Sequence, residues 1–472
     1  MRLFKLHRRR LNKLRRYNDL PSFIEALPLY PTRIIVSRGI VRLYIFLFGF
    51  LSQCNVIPTA FGLPFLRITD MLVISTLPIL YLVYIRLFNS ALILTHIAPI
   101  MFAFLTCLFF FTDRRQGELY SSVFTFLYLL YFLPFTFALL REGCLDLFCW
   151  GILAGFATTT IFLLIDLYVP YTLTKIGLAL VFDYEAVADA AAKGDYNAPL
   201  LRFEKAGGLW THGNEAGPVF ALAAAAAASL TERRRNFFIF ASFVAIYLVS
   251  FSATLNRSGM GTVVLIGLIS YMSSFSNRKI TLTLVYGCIG TLIGSMVIFF
   301  GSFDLLDGAI SKRFLEDENA SSNIFERLES LGYGIQVALH NPFGIGLAAR
   351  MAAMNAFSNL GTPHNGFVST AFTSGILVGF FVVSSVAYML FRYRKVRFFL
   401  YVAVTLTCGY FFEELDFNAA FMCWAGLLIG YTCLDLDYRL VRGRAILRYL
   451  LKLFKSQQSV CPEATSLSSV NS

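Results

Sequence analysis

Long apolar runs of about 15 to 25 residues recur along almost the whole chain, and most are long enough to cross ~30 Å of hydrocarbon as helix. That recurrence restricts the fold more than any motif does. Hydrophobic residues make up 57% of the 472, charged residues 14%, and the mean hydropathy is +0.66. A water-soluble fold would leave far more apolar surface than it could cover. About twelve runs are expected to form one all-α polytopic membrane domain, at 43–64, 68–87, 91–111, 119–140, 144–169, 216–230, 237–255, 259–275, 280–300, 367–391, 398–412 and 419–434.

The net charge of +12 is compatible with nucleic-acid binding, but the excess lies in short connections and at the two ends, beside apolar segments. Membrane orientation explains it better, and no nucleic-acid partner is expected. The segment 1–16 is too polar for a cleavable signal peptide, and no small-residue cleavage site follows it. Residues 1–42 read as a basic cytoplasmic arm, 43–437 as the transmembrane domain and 438–472 as a cytoplasmic tail. The cysteines fall mostly inside apolar runs and include no CxxC pair, so they read as small core residues.

Alternate connections test the span count, because Lys and Arg collect on the cytoplasmic side. Connections expected inside hold Arg86, Arg141, Arg233 to Arg235, Arg278, Lys279, the cluster Arg392, Arg394, Lys395 and Arg397, and the tail from Arg439 to Lys455. Those expected outside are balanced or acidic: 113–118, 171–215, 301–365 and the Glu413, Glu414, Asp416 stretch. Only Arg67 and Arg257 sit outside without an acidic loop partner. Both termini therefore belong in the cytoplasm, and the two large loops outside.

The first outer loop contains an expected short helix at 185–192 and then Gly207-Gly-Leu-Trp-Thr-His212-Gly-Asn214-Glu215. In the second, Ile324, Leu328, Leu331 and Ile335 recur at helical spacing behind Asn323, with Glu326 as a capping partner. That helix should stop near Asn341-Pro342, since the residue before proline disfavours the α conformation.

Several residues in these loops suit anion or hydroxyl chemistry, and each has a plainer reading beside it. Arg257, a lone arginine at the outer junction of two spans, is either an interfacial side chain reaching headgroups or a phosphate ligand. Arg327, with Glu326 and Glu329 beside it, is either a solvated ion-pair member or a second anion ligand. His364, in Pro363-His-Asn365-Gly, is either part of a cap or a base for a hydroxyl proton, and Asn365 suits a cap whichever holds. His340 reads as the structural end of its helix, and His96 as a buried histidine. His212 with Asn214 and Glu215 reads as a cap or a polar substrate contact. There is no Walker-type loop and no HExxH. Asp435-Leu-Asp437 has DxD spacing but lies at the cytoplasmic end, where a solvated pair is the simpler account. No cofactor or metal is expected.

At these residues the chain resembles the superfamily of O-antigen ligases and O-antigen polymerases, bacterial envelope polysaccharide glycosyltransferases. The matching order is Gly208-Leu-Trp-Thr-His-Gly-Asn214 before a span, Asn256-Arg257-Ser258 at the outer end of another, Arg327 in the large loop, Asn341-Pro342-Phe-Gly344-Ile-Gly346, and His364-Asn365 opening a span. The resemblance covers roughly 207–390. It implies an inner-membrane enzyme with a periplasmic active site, catalysing a metal-independent, inverting transfer from an undecaprenyl-diphosphate-linked glycan. On that model Arg257 and Arg327 bind the diphosphate and His364 positions or deprotonates the acceptor hydroxyl. Asn214 and Asn365 would contact substrate, although Glu215 is an unusual successor to Asn214. The acceptor is lipid A-core for a ligase and a second lipid-linked repeat for a polymerase, including an exopolysaccharide polymerase, and the sequence does not separate them. A lipid-linked oligosaccharide flippase is the alternative of a different class. Its usual midspan charges are scarce here.

Overall fold

The computed structural model describes residues 38–54, 67–84, 116–169, 172–176, 209, 213–254, 257–273, 319–345, 365–392 and 397–412, and beyond them 423, 424, 426–432, 434, 435 and 439. All regular structure among them is α-helical. The chain runs α1 (Arg38–Leu51), α2 (Ile68–Tyr84), α3 (Gln116–Arg141), α4 (Leu145–Tyr168), α5 (Thr172–Lys175), α6 (Gly213–Arg234), α7 (Phe237–Thr254), α8 (Arg257–Ser273), α9 (Asn319–His340), α10 (Gly366–Ser374), α11 (Ile376–Arg392) and α12 (Arg397–Phe412). Among the described residues, 145–165 is one helix long and apolar enough to cross a membrane on its own, and shorter apolar helices accompany it. The expected spans 91–111 and 280–300, the helix at 185–192, His96, His212, the acidic 413–416 stretch, the basic arm before 38 and the tail after 439 lie outside the described residues.

Helix boundaries follow local chemistry. Gly143, at φ 61°, ends α3 in the left-handed conformation a side chain resists, and Cys144 N–H turns back to the Leu139 carbonyl at 3.1 Å. Asp146 then stands in the first turn of α4, where a carboxylate complements the helix dipole. Asn236 closes the α6–α7 turn, its Oδ1 accepting from Phe238 N–H at 3.1 Å.

The centre of the bundle is α6, which packs against α4, α7, α8 and α12. Its alanine-rich stretch, 219–230, is buried on every side. Small side chains admit such close neighbours on all faces. The α1–α4 pair uses the same device with glycine. A Cβ on Gly151 would lie 2.2 Å from the Phe46 carbonyl oxygen, and one on Gly155 would lie 2.2 Å from that of Phe50. Glycines four residues apart thus let two backbones touch. Beside them Phe48, Tyr131, Phe132, Phe135 and Phe148 interlock edge to face and tilted.

Three expectations are corrected. The run 367–391 is not one continuous helix but breaks at Gly375, at φ 101°. The expected first span, 43–64, is displaced: its helix, α1, runs Arg38–Leu51 and the chain turns at Ser52 and Gln53. Asp435 is not solvated; it is buried and pairs with Arg439 at 2.9 Å.

Candidate functional site

Polar contacts at one end of the bundle fix the direction of its helices. Asp146 at the start of α4 meets Arg233 at 2.7 Å and Arg234 at 3.0 Å at the end of α6, so these helices are antiparallel. Glu232, one residue earlier on α6, accepts from Ser270 Oγ in the last turn of α8 at 3.2 Å and from the Tyr401 hydroxyl in α12. It also lies 3.9 Å from Arg397, which opens α12. Consequently α6 and α8 run parallel, and α12 runs against both. Since α11 ends at Arg392, just before α12 begins, its last turn belongs to this same basic end.

The opposite end therefore receives the N-termini of α6 and α8 and the start of α11. Arg257 is the first residue of α8, Asn214 follows Gly213 at the start of α6, and Asn365 is the N-cap of α10. Helix N-termini direct free N–H groups and a partial positive charge outward, which favours anions. Asn365 is 7% exposed, and its Oδ1 accepts from Val368 N–H at 3.1 Å, so its carbonyl oxygen is committed to the cap. His364 precedes it and lies outside the described residues.

The second-loop helix exists as α9 and stops at His340, immediately before Asn341-Pro342. His340 Nδ1 meets the Gln336 carbonyl at 2.8 Å and Asn341 Nδ2 donates to the Val337 carbonyl at 3.0 Å, so both residues serve the helix end. Of the expected stripe, Ile335 is 44% exposed, whereas Val337 and Ala338 join Phe372 in a small core with Tyr333, Val368 and Ala371 around them. Ser330 is buried on that packed face. Arg327 lies in α9, three residues before Ser330.

The described residues 341–345 of the Asn341-Pro-Phe-Gly-Ile-Gly346 motif dock on the helix break. Ile376 N–H donates to the Pro342 carbonyl at 3.0 Å, and Ile345 N–H donates to the Phe372 carbonyl at 2.9 Å. Gly344, at φ 86°, turns the chain between these two bonds. A Cβ on Gly375 would lie 2.8 Å from the Pro342 oxygen, so the break and the motif require each other. The motif's described residues thus brace α9, which carries Arg327, against α10, which begins beside His364. Sequence reasoning passed over Gly375 and Ser330. Their only signals are a glycine inside an apolar run and a small polar residue on an amphipathic helix. Among the described residues no three His, Cys, Asp or Glu side chains lie together as a metal site would need.

Comparison with known proteins places this geometry. No curated protein matches the chain significantly. Residues 242–383 match the family described as O-antigen ligase, a stretch running from within α7 through α8, α9 and α10 into α11. It contains Arg257, Arg327, the Asn341–Gly346 sequence, His364 and Asn365, in the order of motifs read from the sequence, so this stretch is similar to the O-antigen ligase family.

Proposed function

We propose that the protein is an inner-membrane glycosyltransferase with about twelve spans and both termini in the cytoplasm, acting at its periplasmic face. It would transfer a glycan from undecaprenyl diphosphate to a hydroxyl of lipid A-core. The observation that carries this reading is that α6 and α8, with Asn214 and Arg257 in their first turns, run parallel and start at the end opposite the basic one. The positive-inside rule puts the basic end in the cytoplasm and this end in the periplasm.

In the proposed reaction, Arg257 and Arg327 bind the diphosphate oxygens. Their charge stabilises the leaving group as the bond from the anomeric carbon to the phosphate oxygen breaks. The acceptor hydroxyl attacks that carbon from the opposite side, which inverts it, and His364 takes the hydroxyl proton. Two fixed guanidiniums supply charge stabilisation without a metal ion. Asn214 contacts the donor, and Asn365, through its cap, fixes where α10 begins.

The test is glycan transfer in membranes, with lipid-linked glycan and two candidate acceptors, comparing wild type with His364→Ala. Transfer to lipid A-core that the variant loses establishes a ligase. Growth of chains on the lipid carrier makes the enzyme an O-antigen or exopolysaccharide polymerase. Folded protein that transfers to neither acceptor but moves lipid-linked glycan across the bilayer is the flippase outcome and overturns the proposal.

A further inference from the structure

Gln53 stands just past the end of α1 and is 0% exposed, yet neither its Nε2 nor its Oε1 has a hydrogen-bond partner. Its backbone is firmly held, the carbonyl accepting from Thr159 Oγ1 of α4 at 3.0 Å. Its side chain starts against the same helix, with Cβ 3.1 Å from where a Cβ on Gly155 would lie. A buried carboxamide left unpaired costs roughly 1–3 kcal/mol, so an apolar residue would serve packing better here.

The location is informative. Cys54, the next residue, packs with Leu173 and with Leu209, and Leu209 lies inside the Gly208-Leu-Trp-Thr-His-Gly-Asn214 motif. The Phe156 ring of α4 meets that of Phe220 in α6 at 5.2 Å, and the two helices are antiparallel. Thr159, and Gln53 with it, is therefore level with the first turns of α6. At a rise of ~1.5 Å per residue this is within about one turn of Asn214 along the bundle axis.

We propose that Gln53 is a sugar-binding residue of the outer site, its carboxamide engaging a hydroxyl of the lipid-linked glycan; this rests on the glycosyltransferase reading above. A carboxamide offers both donors and an acceptor, and a sugar hydroxyl both accepts and donates, so one glycan edge satisfies both ends of Gln53. A phosphate oxygen only accepts and would leave Oε1 unpaired, which assigns Gln53 to the sugar rather than to the diphosphate. Gln53 is enclosed in this structure, so the glycan would reach it by local opening of the kind that binding regions undergo. Gln53 precedes the 242–383 stretch, so the site would join the first helix to that domain.

The experiment measures transfer kinetics in membranes with the full chain, using an undecaprenyl-diphosphate-linked repeat unit as donor probe, for wild type and Gln53→Met. The expected result is a KM for the donor raised about 3- to 10-fold, the range for one or two neutral hydrogen bonds. The thermal unfolding midpoint should be equal or higher, because an unpaired polar group has been removed. Unchanged KM and kcat in folded Gln53→Met overturn the inference. Should Gln53→Met fail to accumulate, Gln53→Asn, which withdraws the carboxamide by one methylene, takes its place: raised KM supports the assignment and wild-type kinetics overturn it. A wild type that transfers no glycan overturns the functional reading itself; an active wild type with an indifferent Gln53 overturns this inference alone.

Discussion

Asp146, in the first turn of α4, is clasped by Arg233 at 2.7 Å and Arg234 at 3.0 Å from the last turn of α6. This contact registers the central helix against α4 at the end of the bundle opposite the candidate site. It also gives the consecutive arginines of this connection a packing role, since both satisfy an acid on the neighbouring helix.

Both arginines are about half exposed, so solvent screens the pair and its removal should be mild. Asp146→Asn is expected to lower stability by about 0.5–1 kcal/mol. Thermal unfolding of detergent-solubilised protein at low and high salt checks this. A loss that does not shrink with salt would contradict the screened picture.

Gly155 tolerates no side chain, because its Cβ would lie 2.2 Å from the Phe50 carbonyl oxygen, a backbone atom that cannot step aside. Gly155→Ala should cost about 1–3 kcal/mol or more, and Gly155→Leu should abolish folded protein. Size-exclusion of a fluorescent fusion reads this directly. Gly261, with nothing within 4 Å of its would-be Cβ, is the control at which alanine should be accepted.

Gly375 combines two demands, a φ of 101° and contact with the Pro342 carbonyl. Gly375→Ala should therefore strain the backbone by about 1–3 kcal/mol and push the Asn341–Gly346 motif off the helix break. The expected consequence is loss of transfer larger than the loss of folded protein, since α9 is braced through this contact. Activity per folded molecule is the measurement, and a loss matched by loss of folded protein would reduce the site to stability alone.

Arg257 and Arg327, if they stabilise the leaving diphosphate, act in the transition state. Each alanine variant should lower kcat by about 10²–10³-fold, the range for removing one charge-stabilising donor. Lysine should restore only part of that, since it cannot bind two oxygens in a fork. Steady-state kinetics of the alanine and lysine variants decide this; a change confined to KM would move either arginine to ground-state binding.

Much of this was legible along the chain. Hydropathy set α3, α4, α7, α8 and α12 to within a few residues of the structure, because a span's length and apolarity are local properties. Asn341-Pro342 marked the end of α9 because the constraint proline imposes is local too. The buried face of α9 was not legible. Its longer apolar side chains lie at Ile335 and Leu339, which stay exposed, while Val337 and Ala338 pack against α10. Periodicity shows that a helix has faces but not which neighbour will arrive.

By itself the sequence determined the all-helical class, the alternation of basic and polar connections, and the family to which Arg257, Arg327 and His364-Asn365 point. These rest on residue type and spacing, which exist before folding. Only the tertiary structure decided that α6 would be the buried centre, that Gly375 would break its run to receive Pro342, and that Gln53 would be enclosed against α4. Each depends on a partner distant in sequence. Burial, close backbone approach and hydrogen-bond satisfaction are properties of pairs, and the pairs exist only once the helices have packed.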